Sequence, residues 1–226
     1  MIKSLFLFAC LCSSLLAQKK DKPMSPVTDV DGLPRVLLIG DSISIGYTVD
    51  VRAMLKGKAN VHRPLTNCGP TTKGLEQIDK WLATGGKDKK WDIIHFNWGL
   101  HDLKYMGPKG QNLADPKDKT SKPQVSQEDY AANLRKLVQR LKKTKAHLIW
   151  RNTTPVPEGA KGRVVGDSKI YNDIAKRIME EENVEIHDLY SFAKKNAAEI
   201  QRKADVHYTP AGSKQLAAEV VKALGL

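Results

Sequence analysis

Cysteine is scarce in this chain, with three in 226 residues, at Cys10, Cys12 and Cys68. The first two fall inside an apolar N-terminal stretch. The body of the chain therefore holds Cys68 alone, which excludes an intramolecular disulfide framework and a cysteine-based zinc site. A lone cysteine more often fills space in a core than acts as a nucleophile. Aromatic residues make up only 6%, too few for the stacking platforms of a nucleic-acid-binding surface. His62, His95, His147 and His187 lack the spacing of a metal-ligand set, so no metal and no cofactor is expected. No heptad run and no repeat of roughly 20–50 residues is visible. Past the N-terminal stretch, no segment approaches the roughly 20 apolar residues that a membrane-spanning helix needs.

That N-terminal stretch differs from the rest. Lys3 supplies a positive start, Leu5 to Leu16 is nearly unbroken apolar sequence, and a polar stretch follows Ala17. The pattern is that of a secretory signal peptide over residues 1–17. The protein is accordingly expected to be secreted or periplasmic. A lipoprotein variant, with the chain anchored at Cys10, fits less well because Phe8 suits a lipoprotein cleavage box poorly and the apolar run continues past it. Residues 18–34, polar and with three prolines, read as a flexible lead-in. The formal net charge is +12, one less after loss of Lys3. The lysines are scattered over expected helix faces and loops, which describes a solvated basic surface better than a nucleic-acid footprint.

From residue 35 to 226, apolar runs alternate with helical patterns. Strands are expected at 35–40, 59–62, 91–97, 147–152 and 184–187. Helices are expected at 72–83, 126–143, 168–182, 191–202 and 210–224. In the second of these, Ser126 followed by Asp129 makes an N-cap signature, and Tyr130, Leu134, Leu137, Val138 and Leu141 recur at helical spacing. Pro210 sits in the first turn of the last, where its missing N–H costs nothing. Five strands alternating with helices imply one domain with a five-stranded parallel sheet, a three-layer α/β/α flavodoxin-like fold. In such folds the site lies at the carboxyl ends of the strands. The stretch from Lys104 to Val125 breaks the alternation and is too long for a neutral connector, so a substrate-facing loop or a disordered insertion are the open choices.

Four segments fall at expected strand ends. Gly40-Asp41-Ser42 follows the first strand, with Gly46 four residues past the serine. A serine there, opening a helix, has its own N–H aimed outward at an anion. The same tripeptide recurs as Gly166-Asp167-Ser168, where Asp167 or Ser168 reads as a helix cap instead. Asn67-Cys68-Gly69-Pro70 follows the second strand, and Asn97-Trp98-Gly99-Leu100-His101-Asp102 the third. Asp205-Val206-His207 precedes the last helix, where the histidine needs only hydrogen-bond reach to Ser42 to serve as general base. Asp41 and Asp102 read as structural braces, and Trp98 and Trp150 as core.

The order of these segments, over roughly residues 35–224, resembles the SGNH/GDSL hydrolase family. The resemblance implies Ser42 as nucleophile, His207 as base, and the N–H groups of Ser42 and Gly69 as oxyanion donors. Two positions depart from the family pattern. Where the family has an asparagine donor this chain has His101, whose ring N–H can also donate, and Asn97 is a candidate substitute. Where the family has its acid, three residues before the histidine, this chain has Ala204, leaving Asp205 or no carboxylate at all. The expected activity is hydrolysis of an acyl, most simply acetyl, ester on a glycan, because the hydrophilic 104–125 stretch offers little cover for a lipid chain. A lipid esterase or thioesterase, and a non-catalytic carbohydrate-binding module on the same scaffold, are the alternatives.

Overall fold

Five apolar runs become the five strands of one parallel sheet. The computed structural model describes residues 21–226, so the expected signal peptide and the Cys10 alternative lie outside the described residues. The chain runs β1 (Arg35–Ile39), α1 (Ser42–Met54), β2 (Asn60–His62), α2 (Thr71–Leu82), β3 (Ile93–Phe96), β4 (Tyr105–Met106), a 3₁₀ turn (Pro108–Gly110) and β5 (Lys122–Pro123). It continues through α3 (Gln127–Lys142), β6 (His147–Arg151), α4 (Asp167–Glu181), β7 (Glu185–His187), α5 (Leu189–Lys195), α6 (Ala197–Ile200) and α7 (Pro210–Leu224).

The sheet order is β2-β1-β3-β6-β7, every pair parallel. This is the flavodoxin-type order expected from the alternation, and its switch point lies between β1 and β3. Helix α1 packs on α7, while α2, α3 and α4 pack in succession, which gives two helical layers around the sheet. Strand β1 is buried along its whole length, as a central strand covered on both faces must be. Trp98 and Trp150, each 1% exposed, belong to that core rather than to a surface platform.

The caps follow from local chemistry. Ser126 Oγ accepts from Asp129 N–H at 3.0 Å to start α3, and Thr209 Oγ1 accepts from Gly212 N–H at 2.9 Å to start α7. The second Gly-Asp-Ser copy behaves otherwise than expected. Gly166, in the left-handed region at φ 97°, is itself the N-cap of α4, and neither Asp167 nor Ser168 caps. Asp167 falls in the first helical turn, where its charge faces the positive helix end. The expected helix at 191–202 divides into α5 and α6 around Asn196.

The described part of the lead-in, residues 21–34, is bonded to the domain at several points. The Asn60 carboxamide accepts from Val30 N–H at 2.8 Å and donates to Val30 O at 2.9 Å. Asp29, largely buried, faces Arg35 at 3.0 Å, His62 at 2.6 Å and the Lys89 ammonium. Arg52 reaches from α1 to Asp21 and the Lys22 and Ser25 carbonyls, and its Nε donates to Val61 O at 3.0 Å. Polar sequence with three prolines signals a loop, but not where that loop is bonded.

The 104–125 stretch is ordered as a ribbon. β4 pairs antiparallel with β5, and Tyr105 N–H donates to Gly162 O at 2.8 Å, which ties the ribbon to the segment following β6. Gly162 has φ 62°, and a side chain there would meet the Leu113 backbone at 2.4 Å, so only glycine fits this junction.

Candidate active site

The site forms at the carboxyl end of β1. Asp41 is the N-cap of α1, its Oδ1 accepting from Ile43 N–H at 3.0 Å. That cap turns the chain so that Ser42 opens the helix. Among the described residues the Ser42 N–H donates to nothing, as expected at the first turn of a helix. Asp41 thus braces the turn, as the sequence suggested.

The turn before α7 brings His207 to the serine. Ser42 Oγ lies 2.8 Å from His207 Nε2 across 165 residues of sequence. On the far side of the ring, Nδ1 lies 2.6 Å from Asp205 Oδ1, which also accepts the His207 backbone N–H at 3.1 Å. This is an i to i+2 turn of the kind Asp forms readily. Ala204, at φ 52°, makes the left-handed step that swings Asp205 under the imidazole. Asp205 therefore reaches the ring although it stands one residue later than the family's acid. Burial pushes the Asp205 carboxyl up, but the hydrogen bonds from His207 and the nearby Arg202 outweigh it and hold it below its ordinary value. An ionised carboxylate only accepts, so Nδ1 carries the proton and Nε2 presents its lone pair to the Ser42 hydroxyl.

The expected oxyanion donors fare differently. Gly69 sits in the left-handed region at φ 62°, and its N–H donates to Asn67 Oδ1 at 2.9 Å. Asn67 lies in the segment at the end of the second strand. Its Asx-type bond two residues ahead is the signal that marks it. Asn97 is already paired: it is 1% exposed, its amide donates to Arg151 O and Thr153 Oγ1, and its Oδ1 accepts from Arg151. With both ends spent inside the core, it offers no donor to a substrate.

His101 is half-buried and makes no hydrogen bond to a described residue. Burial, then the charges of Lys104, Arg163 and Lys73, hold its pKa below the ordinary value, against the pull of Asp41. The ring is therefore neutral near pH 7, with one N–H to give. Arg163, which sequence reasoning missed, is anchored by Nε to Leu100 O at 3.2 Å. Nothing in the spacing of a long loop marks it.

Asp102 braces the loop from beneath. Its Oδ1 accepts from Thr71 N–H at 2.8 Å and Thr71 Oγ1 at 2.6 Å, holding the start of α2 against the strand end. Burial pushes its carboxyl up to about 7, although the Thr71 bonds oppose the shift. An acid whose folded pKa is raised contributes stability below its unfolded value, near 4, and loses it as pH rises through 7. We expect Asp102→Asn to remove this dependence, so that urea unfolding shows the variant gaining on the wild type between pH 5 and pH 8. A constant difference across that range overturns the reading.

Gly99 is required by packing, since a Cβ there would meet Thr153 Oγ1 at 2.0 Å. Cys68 is buried, and burial pushes its thiol up to about 11, which leaves it inert as a nucleophile. Among the described residues no three His, Cys, Asp or Glu side chains converge as metal ligands, and no helix is long and apolar enough to cross a membrane. A groove of about 330 Å³ adjoins the pair, lined by Ser42, Ile43, Gly46, Asp50, Arg202, His207, Tyr208, Pro210 and Ser213.

Known proteins share this fold and family. The family model described as the GDSL-like lipase/acylhydrolase family matches residues 38–215. No curated protein matches the chain in sequence. Among solved structures, the acetyl xylan esterase AlAXEase superposes with a TM-score of 0.63 at 14% identity, over 84% of this chain and 99% of that one. Axe2, an acetylxylan esterase from Geobacillus stearothermophilus, gives 0.64 at 18% identity over 85% and 94%. The lipase/acylhydrolase from Enterococcus faecalis gives 0.64 at 18% over 85% and 95%.

Proposed function

The chain belongs to the GDSL-like lipase/acylhydrolase family, and on that premise we propose that this carboxylic ester hydrolase removes acetyl groups from a carbohydrate, with Ser42 as nucleophile, His207 as general base and Asp205 orienting it. The observation that carries the reading is the unbroken line from Ser42 Oγ through the imidazole to Asp205, with contacts of 2.8 and 2.6 Å.

In this reaction Ser42 Oγ attacks the ester carbonyl while His207 Nε2 takes its proton. The carbonyl π electrons move onto oxygen, where the Ser42 N–H and the His101 ring N–H donate to the oxyanion. Gly69 N–H joins them once the Asn67 side chain rotates off it. One such donor contributes about 3–4 kcal/mol to the transition state. His207 then returns the proton to the departing alkoxide. Water, deprotonated by the same nitrogen, attacks the acyl carbonyl; the bond to Ser42 Oγ then breaks, His207 returns the proton to that oxygen, and the acid leaves.

Two features favour a hydroxylated alcohol over a lipid. The groove beside the pair carries Asp50, Arg202 and Ser213, groups that hydrogen-bond sugar hydroxyls. The 104–125 ribbon, whose Lys104 contributes to the field at His101, is mostly polar and charged. An apolar leader at 1–17 suits an enzyme exported to an external glycan. The non-catalytic alternative rested on Ala204 and His101, and it loses force because Asp205 reaches the imidazole and the His101 ring has a donor to offer.

The test is acyl selectivity. With p-nitrophenyl esters from acetyl to octanoyl, kcat/KM should fall at least about tenfold from the two-carbon to the eight-carbon acyl group, and acetate should be released from acetylated xylan. A rise towards octanoate, with no acetate from the glycan, assigns the site to lipid esters.

A further inference from the structure

A second cavity, of about 380 Å³, shares no lining residue with the Ser42 groove and lies between the 25–27 stretch, the turn after β2, and α2. Its volume is that of a small-molecule site. Its lining is unusual in charge. Arg52, His62, Arg63, Lys73 and Lys80 all contribute to it, and no Asp or Glu does. Arg52 and His62 have their own carboxylates, at Asp21 and Asp29.

Arg63 has none. It is 1% exposed, and among the described residues no carboxylate lies within ion-pair distance of it. Its guanidinium donates only to neutral acceptors: Gly40 O at 3.2 Å, Thr66 O at 3.4 Å and Met24 Sδ at 3.6 Å. Its Nε has no partner. A buried cation without a counter-charge is costly, and arginine stays charged throughout the accessible pH range. Lys73 stands nearby, its ammonium donating to Asn67 O at 2.8 Å with donor capacity to spare. The rest of the wall is apolar: Val27, Pro64, Leu65 and the indole of Trp81.

We propose that this cavity binds a small organic carboxylate, its charged end on Arg63 and Lys73 and its apolar body against Trp81 and Leu65. A carboxylate matches the planar guanidinium and supplies the missing charge, while the apolar wall selects against bare inorganic anions. The bond from Arg63 to Gly40 O places the ligand's charged end next to the turn that carries Ser42.

Benzoate and benzyl alcohol, equal in shape and different in charge, are the probes. Titration calorimetry on the folded protein should show benzoate binding with a Kd on the order of 1 mM and benzyl alcohol at least about tenfold weaker. Arg63→Gln should abolish the benzoate signal. Because Arg63 also braces Gly40, a second variant is needed: Gln77→Trp fills the cavity from half-buried α2 surface. It should lose benzoate binding while keeping its circular dichroism and unfolding midpoint. Equal binding of the alcohol, or undiminished benzoate binding in Gln77→Trp, overturns the proposal.

Discussion

Ser42→Ala is expected to lower kcat for p-nitrophenyl acetate by about 10⁵–10⁶-fold, leaving only the hydrolysis that substrate binding and the oxyanion donors support. The substitution removes one oxygen. The Asp41 cap acts through the backbone N–H of Ile43, and the donor of Ser42 itself is a backbone N–H, so helix start and oxyanion site persist. Ser42 is half-buried beside an open groove, and alanine is the better helix former. The unfolding midpoint should therefore stay within a degree or two while activity disappears. KM, where measurable, should change little, since the hydroxyl bonds the substrate only as the reaction proceeds. A variant retaining a tenth of wild-type kcat overturns Ser42 as the nucleophile.

Asp205→Ala is expected to cost about 10³–10⁴-fold in kcat with KM nearly unchanged. The imidazole of His207 is 42% exposed, so little packing holds it. Its orientation depends on the Asp205 Oδ1 contact at 2.6 Å. Without that acceptor the ring is no longer held with its proton on Nδ1, and a ring protonated on Nε2 has no lone pair for the serine. The imidazolium formed during attack also loses the adjacent negative charge. Asp205→Asn separates these effects, since the carboxamide keeps the size and can keep one acceptor but carries no charge. A loss below about tenfold in both variants would mean that the Ser42–His207 pair acts alone and that the turn at Ala204 positions nothing.

The strands and helices were legible because apolar spacing reports burial directly. β1, β6 and α7 fall within a residue of expectation. The meeting of Ser42 and His207 was legible for a related reason: strand ends in a parallel sheet converge, and the residues lying there are short, polar and glycine-containing. Two things were not legible. The reach of Asp205 depends on one left-handed residue, Ala204, and alanine gives no sign of that backbone choice. The failure of Asn97 as a donor depends on Arg151, Thr153 and its own burial, contacts made across 54 and 56 residues of chain. Local sequence can place a side chain near a site, but it does not say which partner has already taken it. The docking of the lead-in was hidden in the same way, since Asn60 and Asp29 read as ordinary polar residues until their partners are adjacent.

The contact between Arg52 and Val61 bears on how this molecule meets other copies of itself. β2 is an outer strand, and a parallel strand directs alternate peptide groups away from its neighbour. The outward carbonyl at Val61 is the group a foreign strand would seek. Here a guanidinium from α1 occupies it, with the chain at 21–25 wrapped over that guanidinium. The opposite border, β7, is only three residues long and carries Glu185, paired with His147. One margin thus has its outward carbonyl at Val61 taken and the other is short and charged, which makes both poor templates for a second strand. Removing residues 21–25 would strip the cover from the Arg52 guanidinium and leave the Val61 carbonyl easier for a foreign strand to reach.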